Sequence, residues 1–336
     1  MLTAVLRGNG RVIISQTPLR ISFFGGGTDL RAFYAHDYGA VLSTTIDRYV
    51  YVIVKRRFDR QIRVAYTKTE IVNLVQELEH DLVREALLMA GLEGGLEIIT
   101  VADIPAEGTG LGSSSSLLVG LLNALYAFKG EMHSPAELAR KACEIEIERL
   151  GRPIGKQDQY AAAFGGFRLI RFMANEETEC TRVDIPEVGL RALNSRLLAF
   201  FTGKTRSSAT ILTEQRDRTG ENLQVLREMR DQCDIAVKAL KTGDLDTFGC
   251  MLHEGWNLKK RLATGISSVE TDEMYNRART AGALGGKLLG AGGGGFMLLY
   301  APPECHAAIR TALRNYSELP FTFDSRGSRI CFHAER

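Results

Sequence analysis

"EGTGLGSSSSLLVGLLNAL", residues 107–125, places three glycines within five positions, then four consecutive serines, then a dense apolar run. Glycine and serine together are the usual composition of a flexible linker. The residues that follow, Leu117, Leu118, Val119, Leu121, Leu122 and Leu125, instead predict a helix buried on most of its circumference. Ser113 to Ser116 then fall at the N-cap and first turn, where hydroxyls can satisfy backbone N–H groups that lack an intrahelical partner. Those N–H groups and the positive end of the helix dipole also form an anion site, and glycines allow a phosphate to approach the backbone closely. A structural cap and a phosphate loop are both open here, with the phosphate loop preferred.

The whole chain narrows the setting. Its 336 residues with 45% hydrophobic content can bury a large core and predict two domains. A formal net charge of +2, from 42 basic and 40 acidic residues, provides no overall field to hold nucleic acid or an anionic membrane, and neither is expected as a partner. Cysteines at 143, 180, 233, 250, 305 and 331 lack CxxC or CxxH spacing and read as reduced thiols of a cytoplasmic protein. The N-terminal "MLTAVLRGNGRVIIS" meets Arg7 before a signal peptide's apolar region could form, and no run approaches the ~18 apolar residues of a membrane span. Cytosolic residence is the expectation. Nothing fixes the oligomeric state, and a homodimer stays open.

"RVIIS", "AVLSTTI", "YVYVIVKR" and "IRVAY" predict strands between 11 and 67, followed by a helical stretch over 70–91 and the strand "LEIITVA". "SPAELARKACEIEIERLG" has a serine cap, proline at the first helical position, and a stop at Gly151. "FGGFRLIRF" and "LRALNSRLLAFFTG" read as the next strands, 206–281 as mostly helical, and the C-terminus as a glycine loop between strands, a short helix near 304–315 and two closing strands. The domain boundary is placed near 190, giving 1–190 and 191–336.

Two further glycine sites and one acidic stretch carry chemistry. In "TPLRISFFGGGTDL", residues 17–30, a strand bearing Arg20 breaks at Gly25 to Gly27 and presents Thr28 and Asp29; a β-turn with a capping Asp is an equal reading. "LLGAGGGGFMLLY" matches GxGxxG through Gly290, Gly292 and Gly295, but it opens a strand and not a helix, so a dinucleotide site is disfavoured and close packing against a neighbouring loop preferred. "EIEIERLGRPIGKQDQYAAAFGG", residues 144–166, holds Glu144, Glu146 and Glu148 before a Pro/Gly turn, then Asp158. Such acids are commonly a solvated face, yet nucleotide magnesium is held by one or two protein oxygens plus phosphates, and phosphoryl acceptors need a positioning carboxylate.

In this order the pieces resemble the galactokinase, homoserine kinase, mevalonate kinase and phosphomevalonate kinase superfamily of small-molecule kinases, across nearly the whole chain. The GGGTD ending and "GKQDQYAAAFGG" look most like its D-glycero-D-manno-heptose 7-phosphate kinase branch, with bacterial fucose kinase domains next. The resemblance implies an α+β fold of two domains, the C-terminal one ferredoxin-like, with ATP and acceptor in the cleft between them. It implies that Gly108, Gly110, Leu111, Gly112 and Ser113 to Ser115 wrap the ATP phosphates, that Ser114 and Glu146 hold Mg²⁺, with Glu148 the alternative, and that Asp158 receives the acceptor hydroxyl's proton beside Arg20. Gly26, Gly27, Thr28, Asp29 and Gly292 would border the sugar. Pro105, Ser115 and Leu289 depart from the common pattern and leave nucleotide preference open.

A phosphorylated acceptor needs its own anion site. Lys204, Arg206 and Ser207, with Ser208, at a helix start are the candidates, against a serine-capped helix with solvated cations. The expectation is therefore an ATP- and Mg²⁺-dependent sugar-1-kinase acting on a heptose 7-phosphate. The alternatives are a kinase of L-fucose or another free monosaccharide, and a kinase-like sugar sensor without catalysis. Retention of Arg20, Asp29, Ser114, Glu146 and Asp158 favours an enzyme.

Overall fold

The computed structural model describes residues 11–104, 108–205 and 208–334. The first half runs β1 (Val12–Phe24), α1 (Arg31–Tyr34), β2 (Gly39–Arg56), β3 (Ile62–Ala65), β4 (Thr69–Val72), α2 (Asp81–Ala90), β5 (Leu96–Ala102), α3 (Ser113–Lys129), α4 (Pro135–Cys143), α5 (Gln157–Phe164), β6 (Arg168–Phe172) and β7 (Thr178–Arg182). The second runs α6 (Glu187–Asn194), β8 (Leu197–Phe201), α7 (Ala209–Asp217), α8 (Leu223–Thr242), α9 (Leu245–Lys259), α10 (Val269–Thr280), β9 (Gly285–Leu288), β10 (Phe296–Tyr300), α11 (His306–Ala312), β11 (Phe323–Asp324) and β12 (Arg329–Ala334).

The fold is α+β, as expected. A large sheet has the order β12-β1-β2-β5-β3-β4, and β6 and β11 also pair with β2. A second sheet, β8-β10-β9, is antiparallel throughout. The closing strands β11 and β12 return to β2 and β1 of the first sheet. β1 and β2 form the longest ladder, and its register shifts at Pro18/Leu19 and Ser22/Phe24. At the first shift Asp47 and Arg48 bulge out of β2, just before Arg20 pairs with Thr45, and at the second Phe23 is the extra residue on β1.

Helix α3 lies across β1 and β2. Its close approach depends on Gly120, where a Cβ would fall 2.5 Å from the Thr17 hydroxyl oxygen. Ser15 Oγ donates to the Gly120 carbonyl at 2.7 Å, and Ser116 Oγ donates to that of Pro18 at 2.9 Å. These buried bonds set the height of the α3 N-terminus relative to Arg20, two residues after Pro18.

Two segments differ from the sequence expectation. The stretch 70–91 begins as strand β4 and becomes α-helical only at Asp81, because the Glu70 carboxylate accepts the N–H groups of Glu79 and His80 and holds an intervening turn. Residues 187–194 form helix α6 and not a strand, with Glu187 in the first turn and Arg191 in the last, where each complements the helix dipole.

The two halves share a core. Leu19, Ile21, Phe23 and Phe24 of β1 pack with Phe248 and Leu252 of α9 and with Phe167. Phe248 meets the Phe23 and Phe24 rings edge-on, with centroids 5.3 and 5.2 Å apart. This contact fixes the C-terminal helices against the strand that carries Arg20. Replacing Phe248 by alanine is expected to cost about 3–5 kcal/mol in urea unfolding, and a loss below about 1 kcal/mol would contradict the shared core.

Candidate active site

The phosphate-loop candidate is built from left-handed backbone. Gly108, Gly110 and Gly112 have φ of 69°, 78° and 76°, a region that side chains rarely adopt, so the alternating glycines are a conformational requirement. The buried Leu111 anchors the loop, and its carbonyl accepts the Arg20 N–H at 3.0 Å.

The N-cap of α3 is Gly112 and not Ser113, and no side chain caps the helix. The four serines form its first turn, and three of their hydroxyls are drawn away: Ser114 and Ser115 donate to Glu146, and Ser116 to Pro18. Ser113 Oγ lies 3.4 Å from the Thr109 hydroxyl. The Ser116 N–H closes the first intrahelical bond onto the Gly112 carbonyl, and the N–H groups of Ser113 to Ser115 are left for an external acceptor, which an anion supplies.

Asp158 stands in the first turn of α5 and meets Arg20 in a two-pronged pair. Arg20 Nε donates to Oδ1 at 2.8 Å and Nη2 to Oδ2 at 2.9 Å. The Arg20 side chain is 4% exposed and that of Asp158 25%, so the carboxylate faces an opening while the guanidinium is sealed beneath it. A Cβ on Gly112 would lie 3.2 Å from Arg20 Cγ and 3.3 Å from Asp158 Oδ2. The ion pair and the uncapped helix end therefore share one spot.

Glu146 is fully buried and lies in a π-helical turn, Glu144–Arg149, that continues α4. Its carboxylate accepts from Ser114 at 2.9 Å, Ser115 at 2.7 Å and Gln159 Nε2 at 2.6 Å. Burial pushes its proton affinity up, against these hydrogen bonds. Glu148 is exposed, so of the two acids only Glu146 faces the serines. Ser114 Oγ and Glu146 Oε1 are hard oxygen donors and fit a magnesium ion completed by phosphates. Among the described residues no group of three or more His, Cys, Asp or Glu could hold a metal ion.

Asp29 is buried beside α5. Its Oδ1 accepts the Gly27 N–H at 2.9 Å and its Oδ2 that of Gln157 at 3.3 Å. Burial raises its proton affinity, backbone hydrogen bonding lowers it, and the neighbouring Asp158 charge raises it further. Gly155 is required here, since a Cβ would fall 1.9 Å from Asp29 Oδ2. Thr28 is occupied otherwise: its hydroxyl is hydrogen-bonded to Gly25 and Ala40 backbone. A Cβ on Gly26 would lie 3.8 Å from both Ser22 Oγ and Gln157 Nε2, and one on Gly27 3.5 Å from Gln215 Oε1.

The third glycine loop backs the first. A Cβ on Gly290 would lie 2.6 Å from Gly110 Cα, and one on Gly295 2.4 Å from the Thr109 carbonyl oxygen. Its glycines lead into β10, so close packing describes them and a dinucleotide fingerprint does not. Gly292 packs on Ile266 and is not brought to the Arg20–Asp158 pair. The Lys204 ammonium lies 3.3 Å from Glu270, and the side chain is 58% exposed. Arg206 and Ser207 lie outside the described residues, and Ser208 makes no side-chain cap to α7.

Sequence reading missed two cations. Arg152 donates to Ser114 Oγ at 2.9 Å and to Glu146 at 3.4 Å, while holding both oxygens of Asp81. Asp81 is 71 positions away, and nothing local signals that pairing. Lys259 is buried at the end of α9 and donates to the Gly290 carbonyl. A signal for it existed: Leu245, Phe248, Leu252 and Trp256 mark an apolar stripe that Lys259 continues at helical spacing.

Residues 73–166 match the family described as GHMP kinases N terminal domain, and 236–318 match GHMP kinases C terminal. The D-glycero-alpha-D-manno-heptose 7-phosphate kinase of Campylobacter jejuni is 30% identical over 325 residues, covering 90% of this chain and 94% of that one. The L-fucokinase/L-fucose-1-P guanylyltransferase of Bacteroides fragilis is 26% identical over 92% of this chain and 37% of its own. A solved D-glycero-D-manno-heptose 1-phosphate kinase from Bacteroides thetaiotaomicron superposes with a TM-score of 0.79 at 28% identity, covering 96% of this chain and 99% of that one. With both halves matched in sequence and the whole chain matched in fold, this protein belongs to the GHMP kinase family.

Proposed function

We propose that this chain transfers the γ-phosphoryl group of ATP to the anomeric C1 hydroxyl of D-glycero-D-manno-heptose 7-phosphate, giving the 1,7-bisphosphate for nucleotide-activated heptose synthesis, on the GDP-heptose branch. The observation that carries the reading is the Arg20–Asp158 pair held against Gly112 at the uncapped N-terminus of α3. The 30% identity to the Campylobacter heptose 7-phosphate kinase supports the acceptor class. We also propose two domains divided near residue 190, with the closing strands returned to the first sheet, and residence in the cytosol.

In this reading the first-turn N–H groups of α3 and the backbone of Gly108 to Gly112 receive the ATP phosphates. Asp158 accepts the hydrogen bond of the sugar hydroxyl and takes its proton as the oxygen bonds to the γ-phosphorus and the bond to the ADP oxygen breaks. Arg20 orients that carboxylate and offsets charge on the moving group, since positioning and charge neutralisation dominate phosphoryl transfer. Ser114 and Glu146 would hold Mg²⁺, which supplies charge neutralisation to the phosphates when bound. Arg152 holds Asp81 and can release Ser114 and Glu146 without losing its own partner. Asp29 would accept a sugar hydroxyl.

A second reading, a kinase of a free monosaccharide such as L-fucose, is favoured by one observation. Lys204, the described member of the expected distal phosphate site, has its ammonium paired with Glu270. The two relatives' names also differ in where the heptose carries phosphate.

ADP release with ATP, Mg²⁺ and a panel of D-glycero-D-manno-heptose 7-phosphate, mannose, fucose and galactose separates these readings. Turnover confined to the heptose 7-phosphate is expected; turnover only with a free sugar selects the second reading, and silence with intact ATP binding a sensor. Asp158→Asn should lower turnover by roughly 10²- to 10⁴-fold while the thermal transition persists, and near-normal turnover would make Asp158 only a pocket wall. Glu146→Gln should raise the Mg²⁺ needed for half-maximal turnover by roughly 10-fold or more, whereas an unchanged Mg²⁺ dependence would remove Glu146 from the metal site.

A further inference from the structure

Lys259 is the last residue of α9 and is 4% exposed. An ammonium has three N–H donors. Among the described residues its hydrogen-bond acceptor is the Gly290 carbonyl, which leaves two donor positions unfilled inside the protein. Gly290 in turn lies on Gly110 of the phosphate loop. Lys259 therefore stands one glycine loop away from the expected polyphosphate, on the C-terminal side of the cleft.

Charge makes the same point. The groups that interact electrostatically with Lys259 are Arg20 from β1, Asp29 from the loop after it, Asp158 from α5 and Lys287 from β9. Burial pulls the Lys287 ammonium well below the ordinary lysine range, so the cluster sets Arg20 and Lys259 against the two carboxylates. Lys287 is committed to the Phe23 carbonyl at 2.8 Å, and Arg20 to Asp158. A buried ammonium with unfilled donors is costly, so the two open donor positions of Lys259 are accounted for if the resting site is built to receive an anion.

We propose that Lys259 is a second cation of the transfer site, contributed by the C-terminal domain, whose unfilled N–H donors engage the terminal phosphoryl oxygens of bound nucleotide. The inference rests on the kinase reading above. It assigns α9 and the third glycine loop a part in recognising the γ-phosphoryl group specifically, beyond bracing the first loop. Burial and the neighbouring cation Arg20 pull the Lys259 ammonium down to about 8, so its charge is present at neutral pH and lost as pH rises through that value.

Calorimetric binding of Mg²⁺–ADP and Mg²⁺–AMP-PNP to the full chain tests this. Lys259→Met is expected to weaken AMP-PNP by roughly 10-fold or more while changing ADP by less than about 2-fold, the size of one hydrogen bond to a charged group. Lys259→Arg is expected to restore AMP-PNP binding to within about 3-fold of wild type, since the charge and donors return. In the wild type, the preference for AMP-PNP over ADP should fall as pH passes through about 8. The folded pKa lies below the unfolded one of 10.5, so the buried ammonium weakens the fold at neutral pH, and Lys259→Met should raise the thermal midpoint at pH 7. Equal losses for both nucleotides, or none, would reduce Lys259 to a clip on the third loop and overturn the proposal. Should the Met variant not fold, the wild-type pH series and the Arg variant decide on the same terms. A wild type that binds neither nucleotide would overturn the kinase reading itself, and this inference with it.

Discussion

The site depends on a single ion pair being held rigid under a helix that has no cap. Arg20 and Asp158 are 138 positions apart, yet two hydrogen bonds join the guanidinium to both oxygens of the carboxylate, the first sealed and the second facing the opening. A pair of this kind is not a dependable source of stability, because desolvation offsets much of the Coulomb gain, while removal of either partner leaves a buried charge uncompensated. Its value is geometric. The carboxylate can point only where the guanidinium allows, and Gly112 ensures that this place is the mouth of α3.

The rest of the architecture preserves that alignment. Beside the bulge of β2 opposite Pro18, the Arg20 N–H meets the Leu111 carbonyl, and Ser116 ties α3 to Pro18 itself. Two glycine loops are stacked backbone on backbone, Gly290 on Gly110 and Gly295 on Thr109, and Gly112 leaves room for the Arg20 side chain. Phe248, seated between Phe23 and Phe24, extends the same alignment into the C-terminal helices, so Lys259 reaches the site from a rigid support.

Much of this was legible in the sequence because the chemistry is local to motifs. Glycines that require positive φ, a serine run opening an apolar helix, and Asp158 opening a small-residue helix each announce themselves within a dozen positions. Where the reading failed, the deciding contact was distant or the local rule was overridden. Serine is the better N-cap by propensity, but Gly112 took the position because a left-handed turn had to come first and Glu146 drew the hydroxyls inward. Glu146 and Glu148 could not be separated from spacing alone, because the π-helical turn that buries one and exposes the other is set by tertiary packing. The link from Arg152 to Asp81 and the reach of Lys259 to Gly290 leave no local trace beyond a lysine set in an apolar stripe.

The most direct test of the account is a crystal structure of the full chain grown with Mg²⁺–AMP-PNP and D-glycero-D-manno-heptose 7-phosphate. The account predicts the phosphates on the first turn of α3, with the sugar's anomeric oxygen within hydrogen-bond reach of Asp158 and Arg20 still holding that carboxylate. A sugar bound elsewhere, or nucleotide phosphates seated away from Gly108 to Ser115 with the Arg20–Asp158 pair untouched, would contradict it.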